Sequence, residues 1–238
     1  MTIIFWDLPS TVGPWSPNTW KVSRYCLNLK KIPYKTEWVE MPDVAAHCQK
    51  LGISPTTNKS DWNIIHALPA IHDLSTGIYL SDSVRIAEYL ETQYPDGPQI
   101  FPRNTIGLQI DFEDCLNAKL ASLWEFVVPP IWHILNPTSQ VYYRTTREKA
   151  WGKTLEDITP SGDDRAGQWK KVEAGFSGMA VWYSKKSGGG PFMMGSQVSW
   201  VDFVVGGHLM WFNKAWRDDD PKWKAIMLWN SGMWTTLL

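Results

Sequence analysis

The sequence predicts an α/β domain followed by an all-helical domain. Three observations carry this. Up to Leu90, short β-favouring runs alternate with helical stretches. Pro95, Gly97, Pro98 and Pro102 then break the chain in quick succession. Beyond them the strand signals stop, and apolar residues recur at helical spacing.

In order, residues 2–6 form a compact apolar strand, and Pro9, Gly13 and Pro14 make the following segment a loop. Ser16 before Pro17 reads as a helix start, with serine at the cap and proline at the first helical position. Val22, Cys26 and Leu29 continue one face of that helix, which ends before Pro33. Residues 35–40 are extended. Residues 42–63 read as irregular, with one short helix over 44–51. Then comes ALPAIHDLSTGIYLSDSVRIAEYL, residues 67–90. It gives a strand to Asp73, a Ser75-Thr76-Gly77 turn, a strand at 78–80, and a helix capped by Ser81 or Asp82. The order βαβ-ββα is thioredoxin-like, with a mixed sheet and helices packed on it. We place this domain at residues 1–92, a linker at 93–104 and the helical domain at 105–238.

In the second domain, Leu108, Phe112, Cys115, Leu116, Leu120, Leu123 and Val127 predict one long helix over 105–133, broken or kinked by Pro129 and Pro130. Helices over 139–158, 165–183 and 218–230 follow, with a loop at 184–191. Ser199-Trp200-Val201-Asp202 opens a further helix with a capping box in which Asp replaces the usual Glu or Gln.

Composition narrows the function. Lys and Arg number 23 against 24 Asp and Glu, so charge gives no case for nucleic acid or an anionic membrane. No apolar run approaches the roughly 18 residues of a membrane span, and MTIIFWDLPS lacks the pattern of a secretory signal. We therefore expect a cytoplasmic protein. Three cysteines, Cys26, Cys48 and Cys115, without a Cys-x-x-Cys, read as buried free thiols. The five histidines show no paired metal spacing, so no metal site is expected. The sixteen tryptophans are compatible with ordinary core or with an aromatic pocket.

Pro69 is the informative residue of the 67–90 stretch. Proline inside a strand cannot join the ladder, and the Leu68–Pro69 bond is a candidate cis peptide. A cis bond would turn the Leu68 amide and carbonyl outward, ready to pair with an extended peptide. The following helix offers free N–H groups to an anion. Together they suit a small peptide with a carboxylate, although each alone also reads as an ordinary hairpin and capped helix.

Leu68-Pro69-Ala70-Ile71, then Asp82-Ser83-Val84-Arg85-Ile86-Ala87-Glu88-Tyr89-Leu90, then Tyr94-Pro95, resemble the glutathione-binding half of the cytosolic glutathione transferases. The Ser199-x-x-Asp202 cap matches a helix of that family's second domain. Ser16-Pro17 and SDSVRIAEYLETQYPDGP are most similar to the fungal etherase-like (FuA) class and to bacterial lignin β-etherases.

The resemblance implies glutathione as co-substrate, its cysteinyl part pairing at Leu68 and Pro69 and its γ-glutamyl end held by Asp82 and Ser83. Lys50, Lys59, Trp62 and His66 are candidates for the glycine carboxylate. The family's catalytic position is Ser16, with Ser10 and Thr11 as alternatives. A serine hydroxyl and a helix N-terminus would lower the thiol pKa from about 8.5. Taken alone, Ser16 is equally a plain helix cap. Serine in place of cysteine excludes a mixed disulfide and shifts the expectation to conjugation or glutathione-dependent ether or ester cleavage. Trp15, Phe112, Trp124 and Phe126 are candidates for an acceptor site taking aromatic or polyphenolic compounds. The family implies a homodimer. The rival readings are a non-catalytic ligandin for aromatic molecules and an interaction module of the same fold.

Overall fold

The computed structural model describes residues 3–57, 64–185 and 189–238. It forms two compact units, Met1–Ile100 with Asn136–Tyr142, and Phe101–Leu135 with Tyr143–Leu238. The short 136–142 segment belongs to the first unit for a visible reason. The Asn136 amide donates to Glu40 at 2.7 Å, the Ser139 hydroxyl donates to the same carboxylate, and Ser139 Oγ accepts from Met41 N at 3.0 Å.

In the first unit, β1 (Ile3–Asp7), β2 (Tyr34–Trp38), β5 (Ala70–Asp73) and β6 (Ile78–Ser81) make one sheet in the order β2-β1-β5-β6. The β1–β2 pair is parallel and the other two are antiparallel, so the sheet is mixed, as predicted. Period-two alternation divides β1. Ile3 and Phe5 are fully buried, while Ile4 and Trp6 join a cluster with Val39, Val44, Cys48, Ile53, Leu68 and Ala70. Val44 and Cys48 come from α2 (Val44–Lys50), the short helix expected there. A two-stranded β3 (Thr56–Thr57) and β4 (Ile64–Ile65) lies outside the sequence reading.

The first helix departs from expectation. α1 (Pro17–Trp20) is one turn of α-helix that widens into a π-helix over Lys21–Leu27. Lys21 is fully buried within it. The heptad-style pattern Val22–Cys26–Leu29 gave no sign of the change from four-residue to five-residue spacing. α3 (Ser83–Gln93) buries Ile86, Ala87 and Leu90, the positions its periodicity marked. The Lys30 ammonium ties the two helical layers together, pairing with Glu91 at 2.9 Å and donating to Tyr94 O at 3.0 Å.

The second unit is helical. The predicted 105–133 helix is two helices, α4 (Ile106–Lys119) and α5 (Trp124–Ile131), joined by a 3-10 turn at Ala121–Leu123. The break falls at Leu120, whose backbone has left the helical region, and not at the prolines. Pro129 and Pro130 sit inside α5, where each removes the hydrogen bond to the carbonyl four residues earlier. Both freed carbonyls have replacements. Glu125 O accepts from Thr159 Oγ1 at 2.9 Å, and Phe126 O accepts from Trp216 Nε1 at 3.1 Å. Of the face predicted for α4, Leu116 is buried, but Leu108 and Cys115 are exposed. Cys115 is thus not the buried thiol expected, because the buried positions of α4 are Gln109 and Leu116, seven residues apart.

α6 (Pro137–Trp151) and α7 (Leu155–Ile158) divide the predicted 139–158 helix at Gly152, which adopts a positive φ. α8 (Gly162–Ser184) crosses α4 closely. A Cβ on Gly175 would lie 2.3 Å from Lys119 O, so glycine is required there. α9 (Trp200–Trp216) opens with the predicted capping box, Asp202 Oδ2 accepting from Ser199 N at 2.9 Å. Asp202 Oδ1 also takes the Tyr183 hydroxyl at 3.0 Å and Met193 N at 2.9 Å. α10 (Pro221–Leu228) precedes a 3-10 tail whose Trp234 is fully buried. No described helix is long and apolar enough to cross a membrane.

Thr159→Val keeps the shape but strands the Glu125 carbonyl. It should cost about 1–3 kcal/mol, read as a lower urea midpoint at unchanged slope.

Candidate functional site

The two sequence motifs meet through sheet register. In the β5–β6 ladder Ala70 lies opposite Ser81. The strands are antiparallel, so Pro69, one residue before Ala70, and Asp82, one residue after Ser81, are the next to face each other. The Leu68–Pro69 bond is cis, and both residues are buried. Asp82 has φ +79°, a left-handed value uncommon outside glycine and asparagine. From there its Oδ1 accepts from Val84 N at 2.9 Å and Arg85 N at 3.1 Å, and its carbonyl accepts from Ile86 N at 2.9 Å. Asp82 therefore caps the helix, and Ser83 becomes the first helical residue. Among the described residues, the N–H and hydroxyl of Ser83 and the Oδ2 of Asp82 have no partner.

Asp73, at the far end of β5 from this corner, fastens the hairpin turn to the C-terminal part of α3. Its carboxylate accepts from Ser75 N at 2.9 Å, Ser75 Oγ at 2.6 Å, Tyr89 Oη at 2.8 Å and Tyr94 Oη at 2.6 Å. Burial pushes this carboxyl up, but the hydrogen bonds outweigh it and hold it below the ordinary range.

Ser16 caps α1 by position only. Its backbone is extended, its carbonyl accepts from Trp20 N at 3.1 Å and Thr19 Oγ1 at 2.9 Å, and its hydroxyl makes no cap hydrogen bond. The residue is 7 % exposed. At the end of β1 lies Asp7, 1 % exposed, with Oδ1 accepting from Leu8 N at 2.7 Å. Burial raises its carboxyl from 3.8 to about 6, against the opposing pull of Thr19, Leu8 and Arg24. Ser10, one of the alternatives to Ser16, is committed to its own loop, donating to Gly13 O at 2.6 Å.

Family models for the glutathione S-transferase N-terminal domain and C-terminal domain match residues 15–93 and 107–238. The chain belongs to the glutathione S-transferase family. Among solved structures, it is similar to a glutathione S-transferase of Ceriporiopsis subvermispora in complex with glutathione, at 38 % identity and TM-score 0.92, covering 100 % of this chain and 95 % of that one. It is also similar to the glutathione transferase GSTFuA3 of Phanerochaete chrysosporium, at 34 % identity and TM-score 0.89, covering 100 % and 94 %. A further relative is the glutathione S-transferase-like protein ustS of Aspergillus flavus, 29 % identical over 98 % of this chain and 86 % of that protein. The resemblance to fungal transferases of the FuA type therefore holds.

This transferase distributes its remaining candidates over both units. Trp15 belongs to the first unit and is buried, with its indole N–H unpaired among the described residues. His66, beside the Leu68 corner, likewise has a buried Nδ1 without a partner among the described residues. Lys50 is exposed at the end of α2, and Lys59 and Trp62 lie outside the described residues. In the second unit, Phe112 packs edge-on against Trp182, and Trp124 against His208 and Trp211. Phe126 is buried against Trp169. The three therefore pack against three different sets of rings. No group of three metal-ligating side chains gathers among the described residues. Sequence reasoning missed Asp7, Thr19 and Asp73. The only available signal was Asp73-x-Ser75, a common turn pattern.

The two buried acids should behave oppositely. Asp7 has a folded pKa above its unfolded one, so its contribution is fully present below about pH 4 and lost as pH rises through about 6. Asp7→Asn should therefore stabilise the protein by about 2–3 kcal/mol at pH 8 and by little at pH 4, measured by urea melts at both. Asp73 has a depressed pKa, so its stability is present at neutral pH and lost on acidification. Asp73→Asn should cost about 3 kcal/mol at pH 7, with a smaller loss at pH 3.

Proposed function

We propose that this transferase binds glutathione along Leu68, Asp82 and Ser83, activates its thiol through Ser16, and uses the thiolate on bulky aromatic or phenolic compounds. The observation that carries this reading is the register that sets Pro69 opposite Asp82, with Ser83 left as the unused donor of the helix start. The γ-glutamyl carboxylate would take the Ser83 N–H and hydroxyl, and its ammonium the free Asp82 oxygen. The cysteinyl backbone would pair with Leu68. His66 and Lys50 are the described residues offered to the glycine carboxylate.

The Ser16 hydroxyl, which makes no hydrogen bond to its own helix start, would donate its hydrogen to the sulfur. A hydrogen bond to an anion contributes about 1.5–3 kcal/mol, which corresponds to about one to two pKa units. That brings a thiol of about 8.5 close to neutrality. The thiolate then attacks an electrophilic aromatic carbon with departure of its halide, or an ether-bearing carbon with departure of the phenolate. Trp15, Phe112, Trp124 and Phe126 are proposed as the residues that contact the acceptor. We propose a cytosolic homodimer, as the family implies.

Ser16→Ala should lower kcat/KM for a chloronitrobenzene or a β-aryl ether about 10- to 100-fold. The thiol pKa rises when its donor is lost, so the rising limb of the pH–rate profile should move to higher pH by about one unit or more. Unchanged turnover with an unchanged limb removes Ser16 from the mechanism. Ser83→Ala should abolish retention on glutathione resin while leaving the melting temperature within a few degrees. Retention equal to wild type refutes the binding assignment and favours an interaction module.

A further inference from the structure

The second unit carries a pocket whose chemistry the glutathione reading does not explain. Phe126, Gly162, Arg165, Ala166, Trp169 and Lys222, drawn from α5, α8 and α10, line a cavity of about 320 Å³, near the small limit of roughly 300–1,000 Å³ for ligand sites.

Two of its walls are aromatic. The Phe126 and Trp169 rings stand at 75° with centroids 5.2 Å apart, which makes a corner for a flat ring. Neither wall is loose. Trp169 packs edge-on against Trp216 at 6.1 Å and lies 5.5 Å from Trp229, and Phe126 is 3 % exposed.

The other two chemically distinctive lining residues are cations, and they are not equivalent. The Lys222 ammonium lies 2.9 and 2.8 Å from the two Asp220 oxygens and 5.3 Å from the Trp216 centroid, so its charge is already matched. The Arg165 guanidinium lies 5.7 Å from the Phe126 centroid and has no ion pair among the described residues. Asp163 and Asp164 precede it in sequence but do not line the pocket. The pocket therefore holds one uncompensated positive charge beside an aromatic corner. A guanidinium fork matches a carboxylate in a bidentate geometry.

We propose that this pocket binds an aromatic carboxylate, its ring packed on Trp169 beside the Phe126 corner and its carboxylate on Arg165. This narrows the acceptor reading to acids, and it rests on that reading only through Phe126, since binding here requires neither glutathione nor Ser16.

The test is calorimetric titration of the whole protein, without glutathione, with 2-naphthoate and with its neutral isostere 2-naphthamide. The acid should bind about tenfold or more tightly than the amide. Arg165→Gln, an exposed position, should erase that difference while leaving amide affinity unchanged, and Trp169→Leu should weaken both. Equal affinity of acid and amide for the wild-type protein overturns the proposal without any variant. An acid–amide difference that survives Arg165→Gln also overturns it. Saturating glutathione should leave naphthoate affinity within about twofold, and competition between them would place the acid elsewhere and refute this site. Should glutathione itself fail to bind, the naphthoate titration stands as measured, so the two readings fail separately.

Discussion

The Asp73 carboxylate is the constraint on which the first unit's site depends. β5 enters at the Leu68–Pro69 corner and leaves at Asp73, only four residues after Pro69. The carboxylate binds the turn at Ser75 and reaches two tyrosines of the α3 segment, Tyr89 and Tyr94. One end of α3 is thus fastened to the strand by Asp73 and the other by the Asp82 cap. Between these anchors the β5–β6 register sets Ala70 opposite Ser81 and Asp73 opposite Ile78. The backbone around Leu68 and the first turn at Ser83 are consequently held in a fixed relation before any ligand arrives. That is the condition for binding a small flexible peptide without a large ordering cost.

The second unit solves the same problem with another buried acid. Asp202 gathers Ser199 N, Ser199 Oγ, Met193 N and the Tyr183 hydroxyl, so α9, the preceding loop and α8 share one carboxylate. Its pKa nonetheless lies above the ordinary value, because burial outweighs the donors. Asp73 shows the opposite balance. Hydrogen-bond count alone therefore does not give the sign of a buried acid's shift. The depth of burial has to be set against it. Asp7, with fewer donors at similar exclusion from solvent, falls on Asp202's side.

Much of this was legible in the sequence, and the reasons are specific. The βαβ-ββα order followed from proline and glycine punctuation and from period-two runs, which are local signals. The Ser199–Asp202 box and the Asp82–Ser83 helix start were legible because capping is written into three or four adjacent residues. The π-helical widening at Lys21–Leu27 was not, since five-residue spacing leaves the same apolar residues on roughly the same side. The division of α4 from α5 at Leu120 was masked by an apolar pattern that continues through it. The prolines that drew attention, Pro129 and Pro130, are tolerated because Thr159 and Trp216, about thirty and ninety residues away in sequence, supply the missing donors. Long-range repairs of that kind leave no local trace.

The same distinction bears on Ser16. Sequence alone left two roles for it, a cap, which uses the hydroxyl oxygen as an acceptor, or a donor to sulfur, which uses its hydrogen, and the rotation that suits one need not suit the other. Pro17 already sets the helical φ at the first position and contributes no N–H to satisfy. The Ser16 carbonyl starts the helix by accepting from Trp20 N and receives a second bond from the Thr19 hydroxyl. The turn is therefore initiated by backbone geometry and by Thr19, and the Ser16 hydroxyl is not required for it. A serine at this position is then more than its propensity as a cap would justify. Under the proposed function, this side chain, which makes no cap bond of its own and is largely shielded from water, would donate its hydrogen to the glutathione sulfur.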